Sequence, residues 1–256
     1  MTIIFASEEI DIRPLIIEIL EKVNLDKGIR VLDVGGGMNQ WLGSLVTDVI
    51  DINPRLRRKK IRITIGDINE KSTWKKFRDD EFDFVSCTHT LEDIRDPKFV
   101  IEQLSRVGKT GFIAVPNRAV EFRHVEDSEY LGYGHHRWIF HLQNVHYFSA
   151  VAKWIAISNE KVLLNHYKSQ ISKKFMRKRL STSSLQALQQ FDNKHVELGL
   201  VWINHLNFKY FESDFAGESI PAMQNQSLRF LSSPFVIFGS QNLWKKKLVN
   251  TLLHGK

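Results

Sequence analysis

The run Val31-Leu32-Asp33-Val34-Gly35-Gly36-Gly37 constrains the chain more than any other stretch, because a short apolar, β-branched segment ends there in three glycines. Asp51 closes the apolar pair Val49-Ile50 and follows the last glycine by 14 residues. A buried strand, a glycine turn and an acid at the tip of the next strand form the pattern of a nucleotide-type site in a parallel sheet. Glycine lacks the Cβ that would hold a ligand off the backbone, and the acid supplies acceptors for the hydroxyls of a ribose.

The pattern continues on both sides. Ile12, Leu15, Ile16, Ile19, Leu20 and Val23 recur at helical spacing, with Pro14 near the start, and predict a helix over 10–23. Short β-branched or apolar runs predict strands over 29–34, 49–51, 61–65, 83–87 and 111–115. Between them, helical segments are expected around 41–46, over 71–77, and over 97–107 with Pro97 in its first turn. Alternation of this kind implies a Rossmann-like, doubly wound α/β fold, a mostly parallel sheet with helices on both faces. Ligands in such sheets sit outside the carboxyl ends of the strands. Gly35 to Gly37, Asp51, Asp67 and the Cys87-Thr88-His89 segment all fall at those ends.

Past Asn117 the pattern is less regular. Residues 118–137 are polar and mixed, which suggests a lid over the site. Residues 137–142 and 145–148 can pair as strands around Gln143-Asn144. Residues 168–191 read as a helix with basic positions Lys173, Lys174, Arg177, Lys178 and Arg179, and 198–211 can supply another strand or two. With no repeat and no linker, the expected organisation is a core over 1–160 and a C-terminal addition over 161–256 of the same domain.

Composition narrows the setting. A hydrophobic fraction of 43%, with Phe 17, Trp 6 and Tyr 5, excludes a disordered chain. One cysteine, Cys87, excludes an internal disulfide and a cysteine-based zinc site. No apolar run approaches the roughly 18 residues of a membrane span, and no signal-peptide pattern is present, so a cytoplasmic protein is expected. The formal charge of +7 favours anionic partners without choosing among nucleic acid, membrane and phosphorylated small molecules.

The glycine turn itself excludes two cofactors. Dinucleotide binding needs G-x-G-x-x-G, and Gln40 stands where the third glycine belongs. The triphosphate loop needs a following Gly-Lys-Ser/Thr, which is absent. Asp33, just before the glycines, would repel a pyrophosphate but suits a phosphate-free cofactor that carries an amino group and a sulfonium.

With Val31-Leu32-Asp33-Val34-Gly35-Gly36-Gly37, Ile50-Asp51-Ile52-Asn53-Pro54, Gly66-Asp67-Ile68 and Phe82-Asp83-Phe84-Val85-Ser86-Cys87-Thr88-His89-Thr90-Leu91-Glu92-Asp93, the sequence resembles the class I S-adenosylmethionine-dependent methyltransferases of the type 11-like group. The likeness covers residues 28–117. Residues 106–113 and Gly134-His135-His136-Arg137-Trp138 resemble a subgroup associated with surface-glycan modification. The resemblance implies S-adenosylmethionine as cofactor. It implies that Gly35, Gly36 and Gly37 pack against the methionine moiety and that Asp33 helps to hold its amino group. Asp51, with Ile52 beside it, would accept from the ribose, and Asp67 with the Ile68 backbone would read the adenine edge. Thr88 and His89 would line the methionine and sulfonium end. Asn39, where many members carry another glycine, and the short first crossover depart from the family pattern.

A hydroxyl acceptor needs alignment with the methyl group and a base for its proton. His135 and His136 are the candidate bases, since histidine titrates near neutrality; a structural turn is the alternative, and Glu121, His124 and Asp127 are weaker candidates. Adjacent histidines cannot easily share one ion and no spaced carboxylate stands out, so no metal is expected. Cys87 reads as a small buried residue. Base-methylating enzymes place Asp/Asn-Pro-Pro-aromatic where Ser86-Cys87-Thr88-His89 stands here, which argues against an exocyclic amine. The expected reaction is methyl transfer to oxygen on a small molecule, sugar or glycan, phosphorylated or lipid-linked. An RNA methyltransferase and an inactive methyltransferase-like scaffold are the alternatives. Finally, residues 243–253 form a lysine-rich amphipathic helix. It either packs on the domain or rests on an anionic membrane at its inner face.

Overall fold

The computed structural model describes residues 2–7, 11–37, 41–56, 60–116, 133, 135–144, 147–152, 197–204, 206, 208–210 and 241–254. Most of the expected lid 118–137, including Glu121, His124 and Asp127, and all of the expected basic helix 168–191 lie outside these residues.

The β-branched runs form the strands β2 (Val31–Val34), β3 (Asp48–Asp51), β4 (Arg62–Ile65), β5 (Phe84–Thr88) and β6 (Thr110–Pro116). Each pairs parallel to its neighbours, in the order β6-β5-β2-β3-β4. Two further strands extend the sheet to seven. β9 (Glu197–Ile203) runs antiparallel to β6, and β1 (Thr2–Ser7) runs antiparallel to β9 at the edge. No strand was expected over 2–7, and β9 brings the C-terminal part of the chain inside the core sheet. A second sheet of three strands is formed by β7 (Trp138–Asn144), β8 (Tyr147–Ala152) and β10 (Phe208–Tyr210); β7 and β8 pair antiparallel as expected, but Gln143-Asn144, the expected turn, belong to β7, and pairing runs on to Asn144 opposite Tyr147.

Strand side chains alternate between two cores. On one face, Val31, Val49, Phe84, Phe112 and Val201 pack against Ile16 and Leu20 of α1 (Arg13–Lys27) and against Trp244, Leu248 and Leu252 of a C-terminal helix, Gln241–His254. On the other, Leu32, Ile50, Val85, Ile113 and Trp202 meet Trp74 of α2 (Lys71–Trp74) and Val100, Ile101 and Leu104 of α3 (Pro97–Val107). In chain order the C-terminal helix is α4. The doubly wound α/β reading therefore holds, with helices on both faces.

Local chemistry fixes the boundaries. Asp96 caps α3 by accepting from Phe99 N at 2.9 Å, and Pro97 occupies the first turn, where its missing N–H costs nothing. The first crossover is shorter than expected: a single 3₁₀ turn, Gly43–Leu45, stands where a helix over 41–46 was predicted. The helix predicted over 71–77 stops at Trp74, whose indole N–H donates to Ile68 O at 2.7 Å.

Trp244, Leu248 and Leu252 are buried between α4 and the domain, so the packed alternative for 243–253 describes this helix. Among the described residues no helix is long and apolar enough to cross a membrane.

Candidate functional site

The carboxyl ends of β2, β3, β4, β5 and β6 lie along one edge of the sheet, and β9, running the other way, starts there. That edge collects Gly35–Gly37, Asp51, Asp67, Thr88, His89 and Glu197.

At the centre, Gly35 and Gly37 take positive φ values of 73° and 53°, open to glycine and strained for other residues. The room beside each glycine is used differently. A Cβ on Gly35 would stand 2.4 Å from Thr90 Oγ1, and one on Gly36 would overlap the Asp33 carboxylate at 1.8 Å. Of the three, only Gly37 is open among the described residues, with Asp51 Oδ2 at 3.8 Å. Two of the glycines thus make room for the protein's own Thr90 and Asp33. Asp33 is buried with its carboxylate folded against the turn.

Asp51 is buried and holds the turn to the next loop. Its Oδ2 accepts from Gly37 N at 2.9 Å and its Oδ1 from Asn53 N at 2.7 Å. One N–H on each oxygen, among the described residues, leaves each a further lone pair. Beside it Ile52 is 69% exposed and offers an apolar surface to the solvent side of the edge. Asp67 Oδ1 accepts from both the backbone and side-chain nitrogens of Asn69 at 2.8 Å. Burial raises the Asp67 pKa, but these bonds and the nearby Arg95 outweigh it and hold the carboxyl below its usual range. Ile68 is buried in the core.

The far end carries a four-residue charge chain that the sequence did not announce. His89 Nε2 meets Glu197 Oε1 at 2.5 Å and His89 Nδ1 lies 3.4 Å from Glu92 Oε1. Arg13, from the start of α1, donates to the other oxygen of Glu197. His89 has a left-handed φ of 48°, a strained value for a non-glycine residue. Hydrogen bonds to Glu197 and then Glu92 raise its pKa from 6.5 to about 9, against the opposing effect of burial. Burial also works to raise Glu197, yet His89 and Arg13 outweigh it and leave that carboxyl low. At neutral pH His89 is therefore a cation and no general base. Glu92 is buried, and among the described residues its Oε2 has no hydrogen-bond partner. Its charge, with that of Asp33, adds to burial in pushing the Cys87 thiol up, so Cys87 is an inert core residue.

A pH dependence follows. A folded-state His89 pKa above the unfolded 6.5 contributes stability that is fully present below 6.5 and lost as pH rises through about 9. Urea unfolding followed from pH 6 to 10 should show stability falling across that window, and Glu197→Gln should flatten the fall. An unchanged slope in the variant would refute the pairing.

His135 and His136 lie on the same side of the molecule. Arg137 N donates to Glu92 O at 2.6 Å and Trp138 Nε1 to Ile94 O at 2.7 Å, which fasten this segment to the loop leaving β5. His136 is 6% exposed, with Nε2 4.0 Å from Asp93 Oδ1, whereas His135 is exposed. Asp93 in turn sits in a tight turn, its N–H donating to Thr90 O at 3.2 Å, and Thr90 is the residue against Gly35. The glycine turn, the charge chain and the two histidines thus adjoin one loop, 88–94. Sequence reasoning singled out the histidines and missed Asp93, Glu92, Glu197 and Arg13 as partners. Glu92 and Asp93 stood in a quoted motif without a role, and nothing local marked the other two.

A family model described as a methyltransferase domain matches residues 7–158. No curated protein matches the chain. Among solved structures, the complex between the Haloferax volcanii Trm112 methyltransferase activator and a methyltransferase contains a similar chain. It is 16% identical, with 74% of this chain and 88% of that one covered and a TM-score of 0.40. The trans-methyltransferase CalH, in complex with SAH, is similar at 17% identity over 41% of this chain and 36% of that one, with a TM-score of 0.33. A SAM-dependent methyltransferase from Thermotoga maritima is similar at 12% identity, covering 75% of this chain and 91% of that one, with a TM-score of 0.35.

Proposed function

The chain belongs to the class I S-adenosylmethionine-dependent methyltransferases, with S-adenosylmethionine as its cofactor, and from that premise we propose that it methylates an oxygen atom of a small molecule or saccharide. The residues at the sheet edge fit the cofactor. Asp51 has a spare lone pair on each oxygen for the ribose hydroxyls, and exposed Ile52 offers the apolar surface an adenine ring covers. Asp67 and the Ile68 backbone would take the adenine edge. Gly37 leaves the backbone open, and Gly35, Gly36 and Asp33 shape the floor beneath. Thr88 and cationic His89 stand at the methionine end, where a positive imidazole suits a carboxylate. Bound there, the cofactor supplies a methyl group on a positively charged sulfur, open to in-line attack.

One observation carries the choice of oxygen. His136 is held beside Asp93 on the loop that also packs against the glycine turn, so a group able to receive a hydroxyl proton stands next to the donor pocket. Asp93 would orient the imidazole, as carboxylates do for catalytic histidines. His89, already protonated, is unsuited to that task. The loop after β5 also lacks the Asp/Asn-Pro-Pro-aromatic run that holds an exocyclic amine. A saccharide suits the net charge of +7 where it is phosphorylated or lipid-linked, and the single cysteine supports a cytoplasmic setting.

The test uses methyl-labelled cofactor against a panel of sugars, nucleotide sugars, small phenols and RNA. Label should enter an oxygen acceptor, and His136→Ala should lower kcat by roughly 10²–10⁴-fold, the span of general-base contributions. Label transferred to RNA alone, or full turnover in both His135→Ala and His136→Ala, would overturn the reading.

A further inference from the structure

We propose that Asp93, His135 and His136 form a binding site for a divalent transition-metal ion that receives the oxygen of the acceptor. One ligand atom from each of the three residues lies within 4.8 Å of the other two. Adjacent histidines cannot easily bind one ion together and no spaced carboxylate stands out in the sequence, which is why the sequence argued against a shared ion. The backbone turns at His135, and the two imidazoles stand together with ring centroids 4.5 Å apart at 82°. The missing carboxylate is Asp93, some forty positions earlier in the chain and with Oδ1 4.0 Å from His136 Nε2. Two donors bound tetrahedrally at about 2.0–2.1 Å to one ion stand roughly 3.3–3.4 Å apart. The Asp93–His136 pair, at 4.0 Å, is within a small side-chain adjustment of that span, and exposed His135 can close the remainder by a side-chain rotation.

The surroundings are those of a held site. Tyr133 packs on both imidazoles, with centroids 5.7 Å from His135 and 5.0 Å from His136, and its carbonyl accepts from His136 N at 3.3 Å. The Arg137 and Trp138 bonds to the 88–94 loop fix the histidines relative to Asp93. Two imidazoles and one carboxylate are the donors of zinc, manganese, iron or cobalt rather than of calcium, which takes oxygen alone. Three protein ligands leave a position open, the arrangement of a site that works on a bound oxygen.

The ion deepens the oxygen-methylation reading and rests on it only for its use, since binding of the metal stands by itself; with the ion bound, His136 is a ligand, and the cation takes over from the free imidazole the task of drawing off the hydroxyl proton. A hydroxyl placed on the cation ionises more readily, its proton passing to solvent, because the positive charge stabilises the resulting oxyanion. The acceptor class narrows accordingly to molecules with two neighbouring oxygens, such as a vicinal diol of a sugar, which can chelate through both.

The experiment uses the full chain without a histidine tag, stripped with chelator. Cobalt(II) is titrated by visible absorption and zinc(II) by calorimetry. One equivalent should bind, and Asp93→Ala and His135→Ala should each weaken binding more than about tenfold, while His254→Ala on α4 leaves it unchanged. Asp93 and His135 are both exposed, so these variants carry the test if buried His136→Ala fails to fold. A folded protein that binds S-adenosylmethionine but neither metal, or that binds them equally in the Asp93→Ala and His135→Ala variants, overturns the site and leaves the methyl-transfer reading standing. Metal binding without methylation of any oxygen acceptor leaves the site standing and removes that reading.

Discussion

Asp51→Ala should weaken S-adenosylmethionine binding by about 10²–10³-fold. Two hydrogen bonds to a charged carboxylate, at about 1.5–3 kcal/mol each, amount to two to four decades at about 1.4 kcal/mol per tenfold; relaxation of the emptied site lowers that figure. A second loss accompanies the first. Asp51 is the acceptor for Gly37 N and Asn53 N, so its removal frees both N–H groups and lets the glycine turn drift from β3. The variant should therefore also lose about 1–3 kcal/mol of stability, the cost of leaving a partly buried polar group unpaired. Asp51→Asn separates the two effects. Its single amide oxygen can still accept from one backbone N–H, so stability should recover in part while affinity stays low. Calorimetry with the folded variants decides the matter, and an affinity equal to that of the unsubstituted protein would remove Asp51 from the cofactor site.

The placement of the glycine turn, Asp51 and Asp67 at the strand ends was readable because each lies within a few residues of the strand that positions it. Periodicity marks a strand, and the connection rules of a parallel sheet put the strand's end at the ligand edge. The same locality failed elsewhere. Gly35 and Gly36 were read as letting the backbone approach a ligand; that their Cβ sides are taken up by Thr90 and the Asp33 carboxylate was not announced, since no spacing rule says which side chain will fill a gap. Glu197 reaches His89 from 108 positions away, and Arg13, from near the start of the chain, joins them through Glu197. Their meeting depends on β9 entering the sheet between β6 and β1, a topological outcome. Strand β1 shows both sides of the matter. Ile3-Ile4-Phe5 is as β-branched and apolar as the strands that were read, but its partner lies in the C-terminal half, and nothing next to it signals a turn or crossover.

Trp244→Ala should cost about 3–5 kcal/mol, the range for removing a large buried aromatic side chain. The indole is 1% exposed and lies 5.2 Å from the ring of Phe5, and Leu248 and Leu252 continue the same buried stripe against α1. Lys27 of α1 donates to Leu252 O and Leu253 O at 3.0 and 3.2 Å, placing a positive charge on the carbonyl end of α4, where the helix dipole favours it. The helix is thereby tied to both the edge strand and α1. Urea unfolding should show a lower midpoint with an unchanged slope, whereas Leu243→Ala, at an exposed position on the same helix, should stay within about 0.5 kcal/mol. A helix that served only to rest on a membrane would give the reverse, since its apolar residues would contribute nothing to stability in solution. If Trp244→Ala leaves stability intact while abolishing binding to anionic vesicles, α4 is a membrane anchor and not a part of the core. The burial of Trp244, Leu248 and Leu252 argues for the first result: those apolar groups cannot enter a lipid surface without leaving the sheet, at a cost comparable to the whole loss expected from the substitution.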